Sequence, residues 1–130
     1  MIVLDASAVL EILLQTAAGA PVAERLVTSD SSLHAPHLLD VEVAQVLRRF
    51  VARGQVKEGR AGQALAALAD LPVERYSHEI LLPRIWALRQ NLTAYDAAYV
   101  ALAEILGATL LTRDSRIHRA PGHSARVEVF

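Results

Sequence analysis

Four carboxylates stand where this sequence could do chemistry. Asp5 directly follows the apolar run Ile2-Val3-Leu4, and Glu42 lies inside a long amphipathic stretch. Asp96 follows Thr93-Ala94-Tyr95, and Asp114 lies two residues beyond Thr109-Leu110-Leu111-Thr112. Brought together, four carboxylates repel one another and raise their own pKa values, so such a cluster is stable only around a cation. The chain has no cysteine, so oxygen or imidazole must hold that cation. A carboxylate set suits the hard ions Mg²⁺ or Mn²⁺. Ions of this kind activate water and neutralise charge on phosphate oxygens, which is the chemistry of hydrolysis at phosphorus.

Taken singly, three of the four have a plain structural role. Asp5 and Asp114 stand between a strand and a helix, where an aspartate caps free amides. Thr93-Ala94-Tyr95-Asp96 matches the capping pattern that places an acid in the first helical turn. Glu42 has no such role, because it falls within a helix on the flank of the stripe Leu39, Val43, Val46 and Phe50. Asp40 flanks the same stripe on its other side, and helical geometry alone leaves the choice between them open. His34 and His37 straddle Pro36 without a third partner and read as structural or exposed. Trp86, Tyr95 and Tyr99 keep helical spacing with Leu and Ile, which reads as core or interface rather than as a platform for bases.

The elements that must position these acids follow from periodicity and breakers. Short strands are expected at Ile2 to Leu4, Leu33 to Ala35, Val73 to Tyr76, Thr109 to Thr112 and, at an edge, Arg126 to Val129. Helices are expected at Ala6 to Leu14, Pro21 to Thr28, Leu38 to Arg53, Lys57 to Ala69, Leu82 to Gln90 and Thr93 to Leu106. Pro21 suits a first turn, and Gly54 and Gly107 suit helix ends. Short apolar strands alternating with helices predict an α/β fold with a mostly parallel sheet covered on both faces. Sites in such folds form outside the carboxyl ends of the strands. Asp5 and Asp114 converge there if their strands are neighbours.

At 130 residues the chain is expected to form one domain over 1-130, without linker, repeat or low-complexity segment. The composition is 53% apolar and the mean hydropathy is positive. That excludes a disordered chain and leaves apolar surface for a partner. The N-terminus lacks a basic region followed by an apolar one, and no apolar run approaches a membrane span, so a cytoplasmic protein with no membrane contact is expected. A net charge of −1 supplies no general attraction for nucleic acid. The cations are nevertheless almost all arginine, with Lys57 the only lysine, and arginine suits forked contacts to phosphate.

Four segments together carry a family resemblance. They are Ile2-Val3-Leu4-Asp5-Ala6-Ser7-Ala8, Glu42-Val43-Ala44-Gln45-Val46-Leu47-Arg48-Arg49, Tyr95-Asp96-Ala97-Ala98-Tyr99-Val100-Ala101-Leu102-Ala103 and Leu110-Leu111-Thr112-Arg113-Asp114. In order and spacing the chain resembles PIN-domain nucleases, and more narrowly the VapC toxins of VapBC toxin–antitoxin systems. The match runs from the first strand to about Gly122. Each segment is degenerate, but the ordered set is specific.

The resemblance implies a three-layer α/β/α sandwich around a mostly parallel sheet of four or five strands. It implies a metal-dependent endoribonuclease with Asp5, Asp96 and Asp114 as ligands of Mg²⁺ or Mn²⁺, and Glu42 as the helix-borne acid in preference to Asp40. Ser7 and Thr112 match hydroxyl positions that orient carboxylates or water. Some relatives carry a further acid or Asn two residues after the last aspartate, where this chain has Arg116. One firmly held ion is therefore expected rather than two. Arg113 and Arg116, with Arg89 ahead of the Tyr95-Asp96 helix, are candidates for holding RNA. The implied partners are structured RNA, tRNA or rRNA, a cognate VapB-like antitoxin, and a second copy in a homodimer.

Two other readings compete. A receiver domain or haloacid-dehalogenase-like phosphatase would want a lysine at the site, and Lys57 lies in a helical region. A PIN-like module that only binds, with its carboxylates reduced to caps, would not require all four acids, and all four are present.

Overall fold

The computed structural model describes residues 1–130. Five strands, β1 (Ile2–Leu4), β2 (Leu33–Pro36), β3 (Val73–Tyr76), β4 (Thr109–Thr112) and β5 (Arg126–Val129), form one sheet in the order β3-β2-β1-β4-β5. Every pairing is parallel. The expectation of a mostly parallel sheet is met by one that is parallel throughout, with β5 at an edge. Central β1 is buried along its whole length, as a strand covered on both faces must be.

Seven helices flank the sheet: α1 (Ala6–Leu13), α2 (Ala20–Thr28), α3 (Leu38–Ala52), α4 (Glu58–Asp70), α5 (Leu82–Ala87), α6 (Ala94–Leu106) and α7 (Ser115–Arg119). Helices α1 to α4 pack on one another, with α1 against β4 and α3 against β2. Helix α6 lies against β1, β2 and β4 and carries α5. The chain runs outward from β1 to β3 and then crosses back to β4, on the other side of β1. Right-handed crossovers put helices of opposite travel on opposite faces, giving a three-layer α/β/α sandwich. The reversal of direction lies between β1 and β4, where open parallel sheets form their ligand crevices.

Local signals account for most boundaries. Pro21 sits in the first turn of α2. Gly107 ends α6 in the left-handed conformation at φ +61°, which glycine adopts without a Cβ penalty. Helix α6 is buried from Ala97 to Ala103, and its alanines let it lie close on the sheet.

One expected bound is corrected and other readings are sharpened. The helix read from Leu82 to Gln90 ends at Ala87 and follows a 3-10 turn at Glu79–Leu81. Its end tightens because the Leu88 amide donates to the carbonyls of both Arg84 and Ile85. Helix α7, implied in the sequence only by Asp114 as a cap, is too short to show a period that would give it a range. Trp86 and Tyr95 are 69% and 61% exposed, so of the three aromatics at helical spacing only Tyr99 belongs to the core. His34 is buried between the Ser32 hydroxyl and the Tyr76 hydroxyl, each 2.7 Å from a ring nitrogen, and His37 is exposed. No helix is long and apolar enough to cross a membrane.

Candidate active site

Asp5 leaves β1 at the sheet's carboxyl edge and caps α1. Its carboxylate accepts the Ala8 amide at 3.0 Å and the Ser7 hydroxyl at 2.6 Å, and the Thr112 hydroxyl closes on its second oxygen. Thr112 also accepts the Asp114 amide at 2.9 Å, and Ser7 accepts the Arg113 amide at 3.0 Å. The two hydroxyls thus stitch the end of β1 to the end of β4. Burial pushes the Asp5 carboxyl above its ordinary pKa, against the hydroxyl and amide donors that favour its charge, and the Asp96 charge pushes the same way as burial.

Glu42 reaches the same place from α3. The buried Tyr99 donates its hydroxyl to Glu42 Oε1 at 2.6 Å. Burial raises the Glu42 pKa, the tyrosine bond opposes the rise, and Asp96 and Asp5 add repulsion. Asp40 faces elsewhere. Its carboxylate is forked by Arg75 at 2.8 to 3.0 Å, and Arg75 also donates to the carbonyls of Val73 and Leu68. The ambiguity left by helical geometry is settled by β3, which supplies Asp40 with a cation.

Asp96 occupies the first turn of α6. Thr93 accepts the Asp96 amide at 3.1 Å, so the forward half of the capping pattern forms. The carboxyl itself lines a cavity, and its pKa is raised by burial and then by the Asp114 charge, with the Thr93 hydroxyl and Arg116 opposing. Asp96 thus combines a place in the first turn of α6 with a place in the cavity wall.

Asp114 caps α7 through the Arg116 amide at 2.9 Å. The Arg116 guanidinium folds back onto the same carboxylate and holds its pKa below the ordinary range.

All four acids line one open cavity of about 640 Å³ at the carboxyl ends of β1 and β4. Arg113 and Arg49 share the wall, and Leu10, Leu14, Val46 and Phe50 give it an apolar side. No three acidic or histidine side chains are already gathered as a metal cage. The four carboxylates form a wall rather than a closed ligand set.

The PIN domain family model matches residues 2–123. The chain belongs to the PIN-domain family. It is 42% identical over 129 residues to Ribonuclease VapC12 of Mycobacterium tuberculosis (strain ATCC 25618 / H37Rv), covering 99% of this chain and 98% of that one. To Ribonuclease VapC1 of the same strain it is 44% identical over 128 residues, covering 98% and 96%. Among solved structures, VapBC2 from Rickettsia felis, bound to a DNA fragment from its promoter, superposes with a TM-score of 0.73 at 14% identity, covering 100% of this chain and 99% of the other. At that identity the likeness is one of fold.

Within this PIN domain the candidate residues do not all meet. Arg113 stands at the cavity, 3.4 Å from Glu11, and Arg116 is paired with Asp114. Arg89 lies outside the cavity wall, stacked 4.7 Å from the centre of the exposed Trp86 ring. Tyr99 is the site residue that sequence reasoning assigned only to packing. The available signal was its position three residues after Asp96, on the same face of α6. Glu11, further along α1 in the same wall, had no sequence signal.

Proposed function

We propose that this PIN domain is a metal-dependent endoribonuclease, the toxin of a VapBC-type pair. One observation carries the reading. Four acids from four separate segments line one cavity at the sheet's switch point, and three of them hold pKa values raised by burial and mutual repulsion. Such a wall concentrates negative charge, although Arg113 and Arg49 stand beside it. Its donors are all oxygen, which fits Mg²⁺ or Mn²⁺ held by Asp5, Asp96 and Asp114 with Glu42 beside them. A bound ion there would activate water and neutralise charge on the scissile phosphate. The relatives' names, ribonucleases, support RNA as the polymer.

The chain's own residues then have distinct tasks. Ser7 and Thr112 fix the Asp5 carboxylate so that its oxygens do not turn away from the cavity. Glu42, steered by Tyr99 and raised in pKa, accepts a proton from the attacking water. The water oxygen bonds to phosphorus in line with the departing 3′ oxygen, and that P–O bond breaks. A 5′-phosphate and, once solvent supplies a proton, a 3′-hydroxyl result. Arg113 and Arg49 at the wall hold RNA phosphates, with Arg116 and Arg89 as outer contacts. Exposed loops of structured RNA, tRNA or rRNA, are the substrates.

The apolar side of the cavity suits the C-terminal segment of a VapB-like antitoxin, which would block the acids. We place the active protein in the cytoplasm as a single-domain homodimer. The test incubates wild type and Asp96→Asn with total RNA and Mn²⁺ and maps new 5′ ends. New ends are expected only with wild type. Identical profiles overturn the nuclease reading and leave a PIN module that only binds.

A further inference from the structure

The one acid of the quartet with a lowered pKa is also the one with a cationic partner inside the chain. Asp114 meets Arg116 through Nε at 3.0 and 3.1 Å and through a terminal nitrogen at 2.6 Å. Both carboxylate oxygens are taken. The pairing is built in by the start of α7, because the Asp114 cap holds the Arg116 amide and so fixes the arginine two residues away.

This pair differs in kind from the forked pair between Arg75 and Asp40. Arg75 is wedged, 21% exposed, and its guanidinium is shared between Asp40 and two backbone carbonyls. Arg116 is 81% exposed, and its guanidinium hydrogen-bonds to Asp114 alone. No second polar partner holds it in place. A long exposed side chain can leave at small cost, and exposed ion pairs are weak. A cation approaching Asp114 therefore meets lone pairs already in use and a positive charge that must move aside.

We infer that Arg116 is a built-in competitor for the cation at Asp114, a tethered guanidinium that a divalent ion has to displace before Asp114 can act as a ligand. The inference rests on the metal reading above. It makes Asp5, Asp96 and Glu42 the acids without a cation from the chain and Asp114 the one whose charge is met from within. Cation affinity is then set partly by a residue that is not itself a ligand. Removing the guanidinium should tighten binding, whereas loss of a helper would weaken it.

The experiment is calorimetric titration of Mn²⁺ into the full chain as wild type, Arg116→Ala and Arg116→Lys. The melting temperature of each metal-free protein is measured alongside. The alanine variant is expected to bind Mn²⁺ about fivefold more tightly, the modest scale of an exposed ion pair. Lysine, which cannot fork a carboxylate, should fall between. The metal-free alanine variant should melt slightly lower than wild type, because the pair with Asp114 is lost, and the affinity gap should narrow as NaCl screens the pair. Equal affinities, or weaker binding by the alanine variant, overturn the inference and leave the metal reading standing. Absence of Mn²⁺ binding in all three proteins overturns both.

Discussion

Tyr99 illustrates how much a single side chain does in this molecule. Its ring is 2% exposed and packs in the core, while its hydroxyl donates to Glu42 Oε1 at 2.6 Å. Burial first, and the Glu42 charge next, push the phenol far above its ordinary pKa, so it acts only as a donor. Tyr99→Phe keeps the packing and removes the bond. We expect it to cost about 1 kcal/mol, read as a lower urea midpoint with an unchanged slope. It should also leave Glu42 free to turn and further raise its pKa, because the bond that favours the glutamate charge is lost. An unchanged midpoint would show that the hydroxyl contributes nothing to the fold. Much of the residue-scale site was legible in the sequence, since Asp5, Glu42, Asp96 and Asp114 all line the cavity. The Tyr99 hydroxyl was not legible, because helical spacing gives an aromatic a face without saying which carboxylate waits on the facing helix.

At the scale of elements, the corner between α1 and α2 is held by a close approach. A Cβ on Gly19 would lie 2.4 Å from the Glu11 carbonyl oxygen, a distance no backbone tolerates without moving. Gly19 also donates its amide to the Thr16 hydroxyl at 3.1 Å, and both Thr16 and Glu11 belong to the cavity wall. Gly19→Ala should therefore destabilise by about 1–3 kcal/mol, the range for overpacking, and lower the melting temperature by several degrees. A melting temperature equal to wild type would show that the corner yields freely. Most elements themselves were readable. Strands β1, β3 and β4 and helices α3 and α6 stand where apolar periodicity, Gly54 and Gly107 put them. Helix α7 and the early end of α5 were not readable, because segments of five or six residues carry too few repeats to define a period.

For the molecule as a whole, the site's electrostatics predict how stability depends on pH. Asp5 and Asp96 are raised from 3.8 and Glu42 from 4.5. The folded state therefore binds protons more tightly at these groups than the unfolded chain does. Stability from them is full below the unfolded values and is lost as pH rises through the folded ones. Asp114 and Glu104, lowered by Arg116 and Arg84 respectively, act oppositely. Their contribution is present above the ordinary carboxylate range and is lost as pH falls through their depressed values. Metal-free protein should thus lose stability from these three groups as pH rises from the ordinary carboxylate range towards neutrality. Asp96→Asn removes one of the disfavoured charges. It should stabilise the metal-free protein at pH 7 by about 0.5–2 kcal/mol, the usual return for relieving a strained functional site. Thermal melts of both proteins across pH, in the presence of a chelator, check this. A variant less stable than wild type at neutral pH would mean that Asp96 serves the fold rather than a ligand.

The sequence by itself determined the alternation of short apolar strands and helices, the parallel sheet that follows from it, and the four acids whose ordered segments mark a PIN domain. These are local properties, written in periodicity, caps and breakers. Only the tertiary structure decided that β1 and β4 are neighbours, which brings the Asp5 and Asp114 segments together. It supplied the physical reason for preferring Glu42 to Asp40, which helical geometry leaves open and the family resemblance only implies, by giving Asp40 to Arg75 of β3 and Glu42 to Tyr99 of α6. It also found Arg116 lying on Asp114, where the sequence reading has Arg116 as a candidate for holding RNA in place of a further acid or Asn. The physical reason is that pKa shifts and ion pairs depend on distances through space. Local propensity fixes the direction of each element but not which charges finally face one another.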